Sequence, residues 1–134
     1  MAIRYLLDTN TVSFHLRQSS AALTRRLSKR PAKEFALSVV TEMELRYGLE
    51  RNPGLKIASL VEGFLQGITV LPVTSEVARW YGRTRAGLEA KGTPIGPLDL
   101  IIASQALALG LTVITNDLGE FRRVPGLRCE DWTR

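Results

Sequence analysis

Cysteine and histidine are nearly absent from this 134-residue chain, where Cys129 and His15 stand alone. One cysteine cannot close an internal disulfide, and one cysteine with one histidine cannot build a zinc site of the usual nitrogen and sulfur kind. No apolar run approaches the ~20 residues that a bilayer-spanning helix needs. The opening Met-Ala-Ile-Arg-Tyr-Leu-Leu-Asp has no basic stretch followed by a long apolar region and a small-residue cleavage site, so a cytoplasmic location with no membrane contact is expected. Aromatics reach only 7% and show no exposed pattern. No repeat, low-complexity tract or linker interrupts the chain, and residues 1–134 are expected to form one domain.

What is present is ordinary for a globular protein, 45% hydrophobic and 23% charged residues, with an excess of positive charge. Eighteen Lys and Arg face 13 Asp and Glu, a net +5, which favours polyanionic partners without proving them. The informative question is where the acids sit.

Short apolar runs at 3–7, 35–40, 68–73 and 112–115 read as strands, with a weak fifth near 127–129. Between them lie helical patterns at 9–16, 19–30, 41–51, 55–65, 75–91 and 98–109. Thr41 with Glu44 has the spacing of a capping box, Gly110 is placed as a C-cap, and 116–119 is placed as a turn. Residues 92–97, Gly-Thr-Pro-Ile-Gly-Pro, form the clearest loop. Alternating strands and helices imply an α/β domain with a mainly parallel sheet, whose function should lie at the C-terminal ends of the strands.

Three aspartates occupy such junctions. Asp8 ends the first strand, Asp99 opens the apolar helix and Asp117 follows the fourth strand. Each alone is explained as a cap or a dipole partner. Two details go further. Glu42, Arg46 and Glu50 form an i,i+4 charged stripe, whereas Glu44 is rotated about 200° from Glu42, toward Val40 and Gly48, where the glycine leaves room for an approaching group. Asp99 is the one charged residue between Lys91 and Asp117. Converging carboxylates repel, and a hard dication with oxygen preference, Mg²⁺ or Mn²⁺, relieves that repulsion. Placing four of the 13 acids in such a site leaves nine against 18 basic residues, an acidic hole in a basic surface, as a metal-dependent nuclease requires.

The residues resemble the VapC toxins of the PIN-domain ribonucleases over nearly the whole chain. The resemblance is carried by Leu7-Asp8-Thr9-Asn10, Ser38 through Glu44-Leu45 to Gly48, Gly96-Pro97-Leu98-Asp99, Thr115-Asn116-Asp117 with Phe121, Val124-Pro125-Gly126 and Glu130-Asp131-Trp132. It implies a three-layer α/β/α PIN-like domain around a mainly parallel central sheet. It also implies an Mg²⁺ or Mn²⁺ site on Asp8, Glu44, Asp99 and Asp117, and RNA cleavage, directed at tRNA in many members, by a metal-activated water. Asp8 and Asp99 correspond to direct ligands, and asparagine replaces the fourth acid in some relatives. Thr115 would orient Asp117, Asn10 would support Asp8, and Asn116 belongs to the same supporting set. The resemblance further implies a VapB-like antitoxin that blocks the acidic groove, and a toxin homodimer.

Phosphate-binding candidates are Lys91 and Arg85 before the Pro/Gly loop, and Arg122 and Arg123 beside Asp117. Trp80 and Tyr81 are read as core or dimer-interface residues. A paired-histidine mechanism is excluded because His15 is solitary, and it is placed on a helix surface. The rival readings are a phospho-acceptor receiver domain, which would want a middle-strand aspartate and a late lysine, and a phosphatase, which would want a second carboxylate in Asp8-Thr9-Asn10. A catalytically silent RNA-binding module is the non-enzyme alternative.

Overall fold

Five strands and seven α-helices alternate along the described residues, 3–134, of this computed structural model. The strands are β1 (Tyr5–Leu7), β2 (Phe35–Ser38), β3 (Thr69–Leu71), β4 (Thr112–Ile114) and β5 (Cys129–Glu130). The helices are α1 (Thr9–Leu16), α2 (Ala21–Ser28), α3 (Val39–Arg51), α4 (Leu55–Gln66), α5 (Ser75–Ala90), α6 (Pro97–Leu109) and α7 (Leu118–Phe121). All strand pairings are parallel, in the order β3-β2-β1-β4-β5.

The period-2 alternation of strand side chains divides the interior into two cores, one on each face of the sheet. Tyr5, Leu7, Phe35, Leu37 and Ile114 point to one side and pack with Val12 of α1, Leu23 of α2 and Trp132. The Trp132 ring meets Tyr5 edge-on at 4.9 Å, which anchors the C-terminus to the sheet. Leu6, Ala36 and Val113 point to the other side, against Leu88 of α5, Ile102 and Ala103 of α6, and Phe121 of α7. The result is the expected α/β/α layering, with a sheet that is wholly parallel.

Two boundaries differ from the sequence reading. Val39 and Val40, β-branched and placed in the second strand, are the first residues of α3. The Ser38 hydroxyl accepts the Val40 N–H at 3.1 Å, so the helix is capped three residues earlier than expected. Thr41 is therefore inside the helix, and it forms no capping box with Glu44. The segment 116–119, read as a turn, leads into α7, whose N-cap is Asp117.

The strand order positions the site. From the central β1 the chain moves outward to β2 and β3, and from β4 outward to β5, so a crevice opens between the C-terminal ends of β1 and β4. Leu7 pairs with Ile114 at that edge, which places Asp8 and the segment from Thr115 to Asp117 side by side.

Candidate active site

Asp8 follows β1 directly and is 2% exposed. Its Oδ1 accepts the Thr11 N–H at 2.8 Å, capping α1, and its Oδ2 accepts the Thr115 hydroxyl at 2.6 Å. The Thr115 oxygen in turn accepts the Asp117 N–H at 2.9 Å. One hydroxyl thus ties the end of β1 to the turn after β4. Burial raises the Asp8 pKa above its ordinary value, opposed by the hydrogen bonds from Thr115 and Thr11, with Asp117 adding a further upward push.

Asp99 stands in the first turn of α6, which starts at Pro97 behind the N-cap Gly96. Asp117 caps α7 by accepting the Glu120 N–H at 3.2 Å. Carboxylate oxygens of Asp99, Asp117 and Glu120 all lie within 4.8 Å of one another. Glu120 is the member that sequence reasoning missed: it sits three residues after a capping aspartate, a spacing that reads as ordinary cap chemistry. Its Oε1 accepts the Gly96 N–H at 2.7 Å, and a Cβ on Gly96 would lie 3.4 Å from that same oxygen and 3.9 Å from Asp99 Oδ2. The 92–97 loop therefore lies directly against the two carboxylates. The Asp99 carboxyl is pushed up to about 7, first by burial, then by its hydrogen bond with Glu120 and by the charges of Glu120, Asp8 and Asp117. Mutual repulsion among acids is the condition that a bound dication relieves.

Of the four acids named from the sequence, Asp99 and Asp117 stand together, and Asp8 joins them through Thr115 and through the field it exerts on Asp99. Glu44 lies on the α3 side of the crevice, where its Oε1 accepts the Thr9 hydroxyl at 2.6 Å; that hydroxyl is also 3.1 Å from the Thr41 hydroxyl. The Thr115 hydroxyl meets Asp117 at its backbone N–H and gives its own proton to Asp8. Asn10 is exposed, and the Asp8 oxygens are held by Thr11 and Thr115 in its stead. Asn116 Oδ1 is buried without a hydrogen-bond partner.

The cationic candidates divide. Arg85 donates to Glu89 at 2.9 Å and to the Tyr81 hydroxyl at 3.2 Å, an engagement within its own helix. Arg123 donates to the Pro94 carbonyl at 2.8 Å and so latches α7 to the 92–97 loop. Lys91 and Arg122 are exposed, and Arg122 lines an open cleft with Asn116 and Leu118. His15 is only half on the surface: its ring packs 5.8 Å from Phe64, and burial lowers its pKa. It lines an apolar cavity with Leu7, Leu27 and Phe35, facing the opposite layer from α6 and α7.

Comparison with known proteins extends this picture. The PIN domain family model matches residues 5–127. The chain is 40% identical over 132 residues to the tRNA(fMet)-specific endonuclease VapC of Salmonella typhimurium, across 97% of this chain and 98% of that protein. It is 35% identical over 132 residues to Ribonuclease VapC of Haemophilus influenzae, again across 97% and 98%. The structure of DNA-bound VapBC from Salmonella typhimurium is similar with a TM-score of 0.89 at 39% identity, covering 97% of this chain and 98% of that one. VapBC2 from Rickettsia felis, bound to a DNA fragment from its promoter, is similar with a TM-score of 0.87 at 30% identity, covering 97% and 99%.

Proposed function

The chain belongs to the PIN-domain family, among its VapC members, and from that membership we propose that it is an endoribonuclease toxin whose acidic crevice cleaves RNA, with tRNA the substrate class, and which a VapB-like antitoxin neutralises. The observation that carries the reading is the carboxylate triad of Asp99, Asp117 and Glu120, with Asp8 beside it, at the mouth of the sheet of an otherwise basic protein. The cleaving relatives supply the reaction class, and the crevice supplies a place for it.

The donor set fits a hard divalent cation. Every candidate ligand atom is a carboxylate oxygen, and the Asp99 carboxyl, raised first by burial, is raised further by the neighbouring charges of Glu120, Asp8 and Asp117, which a dication would offset. Asp99, Asp117 and Glu120 would hold Mg²⁺ or Mn²⁺, with Asp8 and Glu44 flanking. When bound, such a cation neutralises the scissile phosphate and lowers the pKa of water. The chain's own contribution is positional. Thr115 and the Thr11 amide fix Asp8, Thr9 fixes Glu44, and the Gly96 amide fixes Glu120, so the carboxylates need little reorganisation as charge develops.

An antitoxin arginine reaching into the same crevice would pair with these carboxylates and take the cation's place. A toxin homodimer and a cytoplasmic location complete the proposal. Among the described residues no helix is long and apolar enough to cross a membrane.

Titrating Mn²⁺ against the melting temperature tests the site. A ligand specific to the native state raises the melting temperature by mass action, and Asp99→Asn should abolish the rise. No shift in the wild type would favour a silent RNA-binding module.

A further inference from the structure

Nine aromatic residues are spread along the chain, two Trp, three Tyr and four Phe, and eight of their side chains are buried or half-buried. The ninth, Tyr47, is 62% exposed and lies on α3 three residues after Glu44. We propose that Tyr47 is a stacking platform for an unpaired nucleobase of the RNA strand, one helical turn from the Glu44 carboxylate. This rests on the ribonuclease reading and adds to it the means of gripping single-stranded RNA.

The α3 surface is built for that occupant. Glu44, Tyr47, Gly48 and Arg51 fall at i, i+3, i+4 and i+7, one stripe of the helix. Helical side chains lean toward the N-terminus, which brings the Tyr47 ring back over the turn that carries Glu44. Gly48 follows Tyr47, one turn beyond Glu44, and a Cβ there would have no neighbour within 4 Å, so the helix surface beside the ring is bare. Met43, 55% exposed and one turn before Tyr47, widens the apolar platform. Arg51 ends the stripe, exposed and in no ion pair among the described residues, about 10 Å along the axis from Glu44. Arg46, on another face, is by contrast bonded to Glu42 and Glu62, at 2.8 Å each. A carboxylate flanking the cleavage site, then a ring, then a guanidinium outside any ion pair is the order a single strand leaving that site needs: base stacking, then a phosphate contact. A second copy of the chain would also cover an exposed tyrosine, but it would have no use for a stripe that begins at Glu44, whose carboxylate is held by the Thr9 hydroxyl next to Asp8.

The test compares Tyr47, Tyr47→Ala and Tyr47→Phe in an Asp99→Asn background, which prevents cleavage. The ligands are a fluorescent single-stranded oligoribonucleotide and the same strand with abasic positions. Tyr47→Ala should weaken binding of the base-bearing strand on the order of tenfold. Tyr47→Phe, which keeps the ring, should restore it, and the abasic strand should bind all three proteins alike. Equal affinity of Tyr47 and Tyr47→Ala proteins for the base-bearing strand overturns the proposal. So does a Tyr47→Ala protein that sediments as a smaller species and loses both strands equally, which would assign the face to a second copy. Cleavage by the unmodified protein is measured in parallel with Mg²⁺ and Mn²⁺, so that failure of the ribonuclease reading itself is seen separately.

Discussion

The Thr115 hydroxyl donates to Asp8 Oδ2 at 2.6 Å across the join between the two central strands. Both groups are buried, and the same hydroxyl accepts the Asp117 amide. Thr115→Val keeps the shape and removes the oxygen, leaving a buried carboxylate with one fewer donor. Stability to urea at neutral pH should fall by about 1–3 kcal/mol. Cation affinity, read by calorimetry, should fall roughly 10–100-fold, because the lost group orients two acids.

Most of that join was legible in the sequence. An apolar run ending in Asp8, and Thr115-Asn116-Asp117 after another, placed two acids at strand ends, and parallel strands bring such ends together. Glu120 was not legible, because three residues after a capping aspartate a glutamate is explained by local chemistry, and only the approach of the 92–97 loop gives it a further role. The start of α3 was misplaced for a related reason. Val39 and Val40 favour a strand by side-chain shape, and the Ser38 cap, a single hydroxyl, overrides them. Tyr47 was invisible as an exposed ring because α3 alone does not reveal which of its faces a neighbour covers.

Asp99 sets the pH behaviour. Its carboxyl is raised from 3.8 to about 7 in the folded protein, which therefore binds a proton that the unfolded chain has already released in that window. Without a cation, its contribution to stability falls as pH rises from about 4 to 7 and is level above that range. Asp99→Asn removes the loss, so the variant should be the more stable of the two at alkaline pH in EDTA and should show the flatter profile. Urea midpoints across the pH range check this. Cation binding below pH 7 should release a proton, and it should therefore tighten as pH rises.

Glu120→Gln tests the residue that the sequence concealed. Glutamine keeps an oxygen for the Gly96 amide, so the fold should hold, yet a negative charge next to Asp99 is lost. Cation affinity should drop at least about tenfold if Glu120 is a ligand. The pH midpoint of cation binding should move to lower pH, because Asp99 would no longer be pushed up by that charge. An unchanged affinity and midpoint would remove Glu120 from the site.

Arg123 separates a latch from a phosphate contact. Its bond to the Pro94 carbonyl holds the loop that leads to Asp99. Arg123→Ala should slow cleavage while leaving the salt dependence of RNA binding as it was. A residue that contacted phosphate would lower the slope of log affinity against log salt by about 1. Binding titrations at several salt concentrations give the answer.

Cleavage of a labelled tRNA pool bears most directly on the acidic crevice as a ribonuclease site. The unmodified protein and an Asp8→Asn variant, purified in parallel and free of antitoxin, are each given Mg²⁺, Mn²⁺ or EDTA. Discrete cuts that require the cation and vanish in the variant are expected. Cuts that persist in EDTA, or that Asp8→Asn makes equally well, would contradict the assignment of this site.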